Sequence, residues 1–196
     1  MQTRLIFLCL FFTLSLSAQS YRYEAHDSHL SLQFLGITFH PGGGAVNMIK
    51  NYPLRLDKKA LFVVNLGFTM AYDYDVNDKW FLRAAVGYLK DCAYTNAGFI
   101  HVGFRWKPIT LGRHSLNGGF GPVLTVREDW HQFEGYNDKT DFYGKRVWNG
   151  MQYRLFPFGG EIEYQYKIND KWDFQYSVIP GFPAVVTSRF GFRMKL

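Results

Sequence analysis

The most constraining feature of this sequence is a regular alternation of apolar and polar residues. Between Phe62 and Val76 every even position is apolar, whereas the odd positions are small or polar apart from Val63. Because successive side chains of a strand point to opposite faces, this segment has one apolar face and one small or polar face. A helix would scatter both sets around its circumference, so the pattern predicts a β-strand.

The alternation recurs along the chain. It is found at 80–88, 99–106, 116–127, 161–168, 172–178 and 186–196, and more weakly at 30–34. Such segments suit a tilted bilayer crossing, which takes about 9–11 residues per strand. We therefore predict an all-β fold, an antiparallel transmembrane up-and-down β-barrel of about eight strands.

A soluble sandwich, with its apolar face inside, is the alternative reading of the same alternation. Three tryptophans at strand ends favour the membrane, because interfaces enrich aromatic residues: Trp80, Trp106 and Trp172. The opposite face is rich in glycine and in charges of both signs, as expected of a narrow polar lumen. These observations favour the barrel.

The first residues are typical of an export signal. Arg4 precedes an apolar stretch at 5–16, which Ser17 and Ala18 follow. This stretch is too short for a membrane-spanning helix, which leaves a buried core helix as the alternative to a signal peptide. We predict a cleaved signal peptide at 1–18, a periplasmic segment at 19–28, a barrel at 29–196 and an outer-membrane location.

Composition limits the partners and cofactors. Removal of the signal would leave Cys92 as the last cysteine, which excludes an intramolecular disulfide and argues against a cysteine-built metal site. No metal or other cofactor is predicted. The net charge of +6 favours outer-membrane lipid and lipopolysaccharide at the rims as partners, rather than nucleic acid.

The turns set a topology and a register. Asn-Asp-Lys-Trp occurs at 77–80 and again at 169–172, and both runs fit tight periplasmic hairpins, as does a link at 107–114. The outer loops are then 40–59, 90–93, 130–151 and 180–184. Folding the hairpins about their turns places Arg83 opposite Asp73 and Lys167 opposite Asp173.

The inward charges are predicted to fill the lumen. About eight strands enclose space only for side chains or one small ligand, so we expect a salt-bridged plug rather than an open channel. Its predicted members are Asp73, Arg83, His101, Arg105, Glu161, Glu163, Lys167, Asp173 and Arg189.

These features together resemble the superfamily of small bacterial outer-membrane barrels, which includes adhesion, structural and lipid A-modifying proteins. The most specific element is the C-terminal run, with Phe190, Phe192, Met194 and Leu196 at alternate positions. It is similar to the signal that the barrel-assembly machinery reads, although Leu196 replaces the usual phenylalanine. The resemblance implies that this machinery is a partner during biogenesis.

Two functional hypotheses remain open. Residues predicted to gather at the outer rim could support acid–base chemistry in a lipid A-modifying enzyme: Asp91, Arg127, Asp129, His131 and Glu134. Lipid A deacylase barrels carry a His-x-Ser-Asn-Ala run, but the run here lacks the histidine and has Thr95 in place of serine. We favour a non-enzymatic barrel with a structural or surface-binding role, in which the aromatic loop 130–151 contacts an extracellular partner.

Overall fold

The structure is a computed structural model that describes residues 26–41, 43, 48–137, 143–181 and 185–196. The predicted signal peptide and residues 19–25 lie outside the described residues. Among the residues described, no helix has the length and hydrophobicity needed to cross a membrane.

The described part of the chain forms ten strands and two short 3-10 turns. The strands are β1 (Ser28–Phe39), β2 (Phe62–Val64), β3 (Leu66–Asp75), β4 (Trp80–Lys90), β5 (Asn96–Leu111), β6 (His114–Glu128), β7 (Val147–Trp148), β8 (Met151–Lys167), β9 (Trp172–Gly181) and β10 (Val185–Lys195). The 3-10 turns are Ile49–Asn51 and Trp130–Gln132.

Eight of the strands close into an antiparallel barrel. The order around the ring is β1, β3, β4, β5, β6, β8, β9 and β10, and β10 pairs back with β1. The short β2 continues the line of β3 beyond Asn65, and β7 pairs with the first residues of β8. The predicted closed barrel of about eight strands is therefore confirmed.

The closing seam between β1 and β10 requires a glycine. Leu32 pairs with Phe192, and Gln33 pairs with Gly191. A Cβ atom on Gly191 would lie 2.0 Å from the carbonyl oxygen of Leu32. Because real Cβ atoms do not approach backbone that closely, any other residue at this position would force the two strands apart.

The connection between β5 and β6 differs from the prediction of a loop at 107–114. β5 continues to Leu111, and β6 begins at His114, so only two residues form the turn. Gly112 adopts φ 59°, a left-handed conformation that glycine tolerates well. The register shifts between Trp106 and Ile109, and this irregularity, with its Lys-Pro pair, disguises the continuing strand in the sequence.

The molecule has two interiors of opposite character. The lumen is lined by polar and charged side chains, whereas the outer loops enclose a small apolar cluster. The members of that cluster are Met48, Tyr52, Ala60, Val63, Ala93 and Trp130. We call it the cap core, because it lies at the end of the barrel opposite the Asn-Asp-Lys turns.

Candidate functional site

Glu163 is the hub of the lumen network. Its carboxylate accepts hydrogen bonds from Arg83 Nη1 at 2.7 Å and from Ser177 Oγ at 3.0 Å. Gln165 Nε2 donates to it at 2.7 Å, and Gln175 Nε2 donates at 3.2 Å. Glu163 is almost fully buried. Hydrogen bonds and a cation thus take the place of the water that would surround this carboxylate in solution.

A second carboxylate, Glu161, is held between arginines. Arg189 Nη2 donates to its Oε1 at 2.6 Å, Arg105 Nη2 donates to its Oε2, and Arg83 Nη1 lies 3.5 Å from Oε1. His101 Nε2 lies 3.2 Å from Arg105 Nη2. The lumen is thus crossed by charge pairs that join β4, β5, β8 and β10, which fixes these strands relative to one another.

The predicted register places Arg83 directly opposite Asp73, and the strands pair in that way. Arg83 Nε and Nη2 donate to the two oxygens of Asp73 at 2.7 and 2.9 Å, a bidentate arrangement. Arg193 Nε reaches the same carboxylate at 3.0 Å. Arg193 also lies 3.4 Å from Asp173, so one arginine of β10 links two hairpins.

The prediction that Lys167 pairs with Asp173 inside the lumen is wrong. The two residues are register partners, but the Lys167 side chain is 53% exposed and its Nζ lies 2.8 Å from Asp170. Lys167 is the last residue of β8, where a long flexible side chain can reach the solvent and the turn. Arg193 takes its place beside Asp173.

The sequence prediction also missed the neutral members of the network. Buried amides donate to or contact the central carboxylates, and these are Gln33, Asn117, Gln165 and Gln175. They occupy inward positions, but an uncharged amide in a polar sequence segment does not indicate that it contacts a buried carboxylate. Alternation alone assigns them to the inward face, which is the signal that could have identified them.

The cap core is stabilised by a stacked arginine. The Arg127 guanidinium carbon lies 3.7 Å from the Trp130 ring centroid and 4.2 Å from that of Tyr143. Its Nε donates to Gln152 Oε1 at 2.9 Å. Cation–π contacts of a partly desolvated guanidinium are stabilising, so Arg127 joins the end of β6 to the loop that follows it.

Asp91 organises the turn between β4 and β5. It accepts hydrogen bonds from the Thr95 hydroxyl at 2.7 Å and from Trp130 Nε1 at 2.8 Å, and backbone N–H groups donate to it as well. Burial raises the pKa of the Asp91 carboxyl above its ordinary value, although the bonds from Thr95 and Trp130 oppose this shift. The Thr95 hydroxyl therefore faces a carboxylate rather than an imidazole.

The other rim candidates lie in separate groups. His131 Nδ1 lies 2.5 Å from Asp129 Oδ1, and both side chains are partly exposed. Glu134 is exposed and pairs with Lys50 at 2.7 Å. The structure brings Asp91 and Arg127 to the cap core, with Asp129 and His131 beside it. The His131 ring packs edge-on against the Tyr136 ring, with centroids 4.9 Å apart.

Cys92 and His40 form a contact between two outer loops. Cys92 Sγ lies 3.3 Å from His40 Nε2. Burial lowers the pKa of His40, and it raises the pKa of the Cys92 thiol to about 12. The pair is therefore a neutral thiol beside a neutral imidazole, not an activated thiolate. Among the described residues, no group of three or more His, Cys, Asp or Glu side chains could hold a metal ion.

The outer surface of the barrel is apolar. The alternate residues of every barrel strand point outward and remain exposed, including Leu32, Phe68, Val86, Ile100, Phe120, Ile162 and Phe192. The three predicted interface tryptophans lie at the end that carries the short turns, where Trp80 and Trp106 stack with ring centroids 6.0 Å apart. We call the whole outward-facing apolar surface of the barrel strands the belt.

A closed ring of strands with an apolar belt and a polar, filled interior is suited to a bilayer and not to water. The chain therefore has the architecture of a transmembrane β-barrel. Because the ring is closed, the edges of β1 and β10 are paired with each other. The belt is the surface that would face the lipid.

Comparisons with known proteins add fold likenesses at low identity. No family model and no curated protein matches the sequence. Ail, the attachment invasion locus protein of Yersinia pestis, is 13% identical with TM-score 0.46, covering 88% of this chain and 100% of that one. The N-terminal β-barrel domain of Pseudomonas aeruginosa OprF is 8% identical with TM-score 0.48, covering 87% and 99%. Neisserial surface protein A is 10% identical with TM-score 0.45, covering 88% and 98%.

Proposed function

We propose that this barrel is a non-enzymatic surface protein whose ordered outer cap binds an extracellular partner. The observation that carries the proposal is the cap core. Outer loops that only connect strands need no buried apolar cluster, whereas here Trp130 is 6% exposed and Tyr52 is 4% exposed. An ordered surface loses less conformational entropy when a partner binds.

The first outer loop suggests the chemistry of that partner. Between β1 and β2 the chain carries Lys50, Arg55, Lys58 and Lys59 against the single carboxylate Asp57. Arg55, Lys58 and Lys59 are exposed. A local surplus of positive charge attracts anionic partners and raises their association rate. We therefore propose an acidic surface partner.

Binding to a defined polyanion tests this proposal. The mature protein in lipid nanodiscs should bind immobilised dextran sulfate and not neutral dextran. The double variant Lys58→Gln/Lys59→Gln should bind roughly tenfold more weakly at low salt. A matched control, Lys79→Gln/Lys171→Gln, removes two charges at the opposite end and should bind as the wild type does. Equal binding by all three proteins would contradict the proposal.

The enzymatic alternative makes a different prediction. If rim residues modified lipid A, mass spectra of lipid A from cells with and without the gene would differ in acyl pattern. The division of the rim candidates into separate pairs supports the non-enzymatic proposal, from which we expect identical spectra. A change of acyl pattern that depends on Asp91 or His131 would overturn it.

A further inference from the structure

The belt has a depression at the loop end of the barrel. It lies on the outer surfaces of β4, β5 and β6 and has a volume of about 330 Å³. The register explains it. Gly98 of β5 pairs with Tyr88 of β4 on one side and with Val126 of β6 on the other. Because Gly98 has no side chain, the outward row Tyr88–Gly98–Val126 lacks its middle member.

The floor of this groove cannot be filled by a small change in sequence. A Cβ atom on Gly98 would lie 2.7 Å from the carbonyl oxygen of Gly87, so the backbone itself excludes a side chain there. Neighbouring strands lie about 4.8 Å apart, which places the Cα atoms of Tyr88 and Val126 roughly 10 Å from each other, with their side chains forming the walls. This width accommodates one hydrocarbon chain.

The groove is apolar towards the middle of the barrel and polar at its loop end. The next outward row towards the middle is Val86, Ile100 and Leu124. The next row towards the loops contains Lys90, which pairs with Asn96, and then Glu128 of β6. A chain lying in the groove would therefore have its tail among apolar residues and its head at a polar edge.

Lys90 can receive an anionic head group. Its Nζ donates to Asn96 Oδ1 at 2.7 Å, and the Tyr88 hydroxyl donates to the same oxygen. An ammonium group has three donors, so Lys90 can also donate to a phosphate. Glu128, the carboxylate of this row, accepts from Asn96 Nδ2 on the far side of Asn96. Glu128 therefore does not occupy the space beside Lys90, where the phosphate would bind.

We infer that this groove binds one acyl chain of lipid A, with a lipid A phosphate beside Lys90. The occupant is a lipid because the groove is continuous with the belt, which faces the hydrocarbon of the bilayer. With the outer loops on the cell surface, the groove lies in the leaflet that contains lipid A. This inference is independent of the partner proposed for the cap.

Native mass spectrometry of the detergent-purified mature protein tests the inference, with purified bisphosphoryl lipid A as the probe. The wild type should retain one lipid A molecule. Val126→Phe narrows the groove and should reduce this retention about tenfold, the factor expected when a chain loses contact for roughly two methylene groups. Val102→Phe enlarges a belt valine outside the groove and should leave retention unchanged.

Two further comparisons distinguish the contribution of the phosphate from that of the acyl chain, and binding of lipid A from binding of phospholipid. Lys90→Gln should reduce retention of bisphosphoryl lipid A and leave that of dephosphorylated lipid A unchanged. Phosphatidylglycerol should be retained less than lipid A. Each variant is first checked for a folded band on an unboiled gel, and Val86→Phe replaces Val126→Phe if the latter does not fold. The inference would be overturned if the wild type and the groove variant retained lipid A equally. It would also be overturned if the wild type retained lipid A and phosphatidylglycerol equally.

Discussion

Arg83 is the cation that links Asp73 to the Glu163 hub of the lumen network. It is 2% exposed and pairs with Asp73 and Glu163, both of which are also buried. Arg83→Met would leave two carboxylates without their main cation. Removing one partner of a buried ion pair typically costs about 3 to 5 kcal/mol. We therefore expect this variant to lose most of its folding free energy.

Urea titration of the heat-modifiable band in detergent measures the effect of Arg83→Met. Lys167→Met is the matched control, because Lys167 also pairs with an aspartate, but at the surface. An exposed pair of this kind contributes little, so no change is expected. A similar loss in both variants would show that the buried network has no special role.

His40 gives the cap a dependence on pH. Burial lowers its pKa below the ordinary value of 6.5, so the folded cap binds fewer protons at this site than the unfolded loop does. The contribution of neutral His40 to the free energy of unfolding is therefore fully present above pH 6.5 and declines as the pH falls below that value. Protonation makes both ring nitrogens of His40 donors, so Nε2 can then no longer accept a hydrogen bond from the Cys92 thiol.

Labelling of Cys92 with a maleimide reports this opening. The labelling rate, divided by that of free cysteine at the same pH, should rise as pH falls from about 7.5 to about 5. His40→Gln should flatten the dependence. A wild-type ratio that stays constant over this range would contradict the account of His40.

At the scale of the elements, closure of the ring depends on the β1–β10 seam. Gly191→Ala would place a Cβ atom 2.0 Å from the Leu32 carbonyl oxygen, so we expect the seam to open and the folded yield to fall sharply. Gly118→Ala is the control, because nothing lies within 4 Å of a Cβ atom there. Refolding into liposomes, followed by unboiled gels, compares the two. Equal yields would contradict the role of the seam.

The strands could be predicted from the sequence because an alternating pattern has a fixed physical meaning in an extended chain. The Asp73–Arg83 register could be predicted because a tight turn fixes the pairing of nearby residues. Arg193 could not be assigned to Asp73, since they meet only when the ring closes across 120 residues. The cap core was not predicted, because its members come from three separate loops without a regular period.

At the scale of the whole molecule, the charge network fills the lumen. Arginine and carboxylate side chains from β3, β4, β5, β8 and β10 meet across the interior. We expect no steady conductance from the wild type in planar lipid bilayers, since a filled eight-stranded barrel has no space for hydrated ions. Stable channel openings that scale with the amount of protein would contradict this prediction.

The central claim is that the chain forms a closed barrel in the membrane, and gel migration of the membrane-extracted protein tests it most directly. A closed barrel resists dodecyl sulfate at room temperature and unfolds on boiling. The unboiled sample should therefore migrate faster than the boiled one, and the faster band should come from the outer-membrane fraction. Identical migration of the two samples, with the protein recovered in the soluble periplasm, would contradict the account.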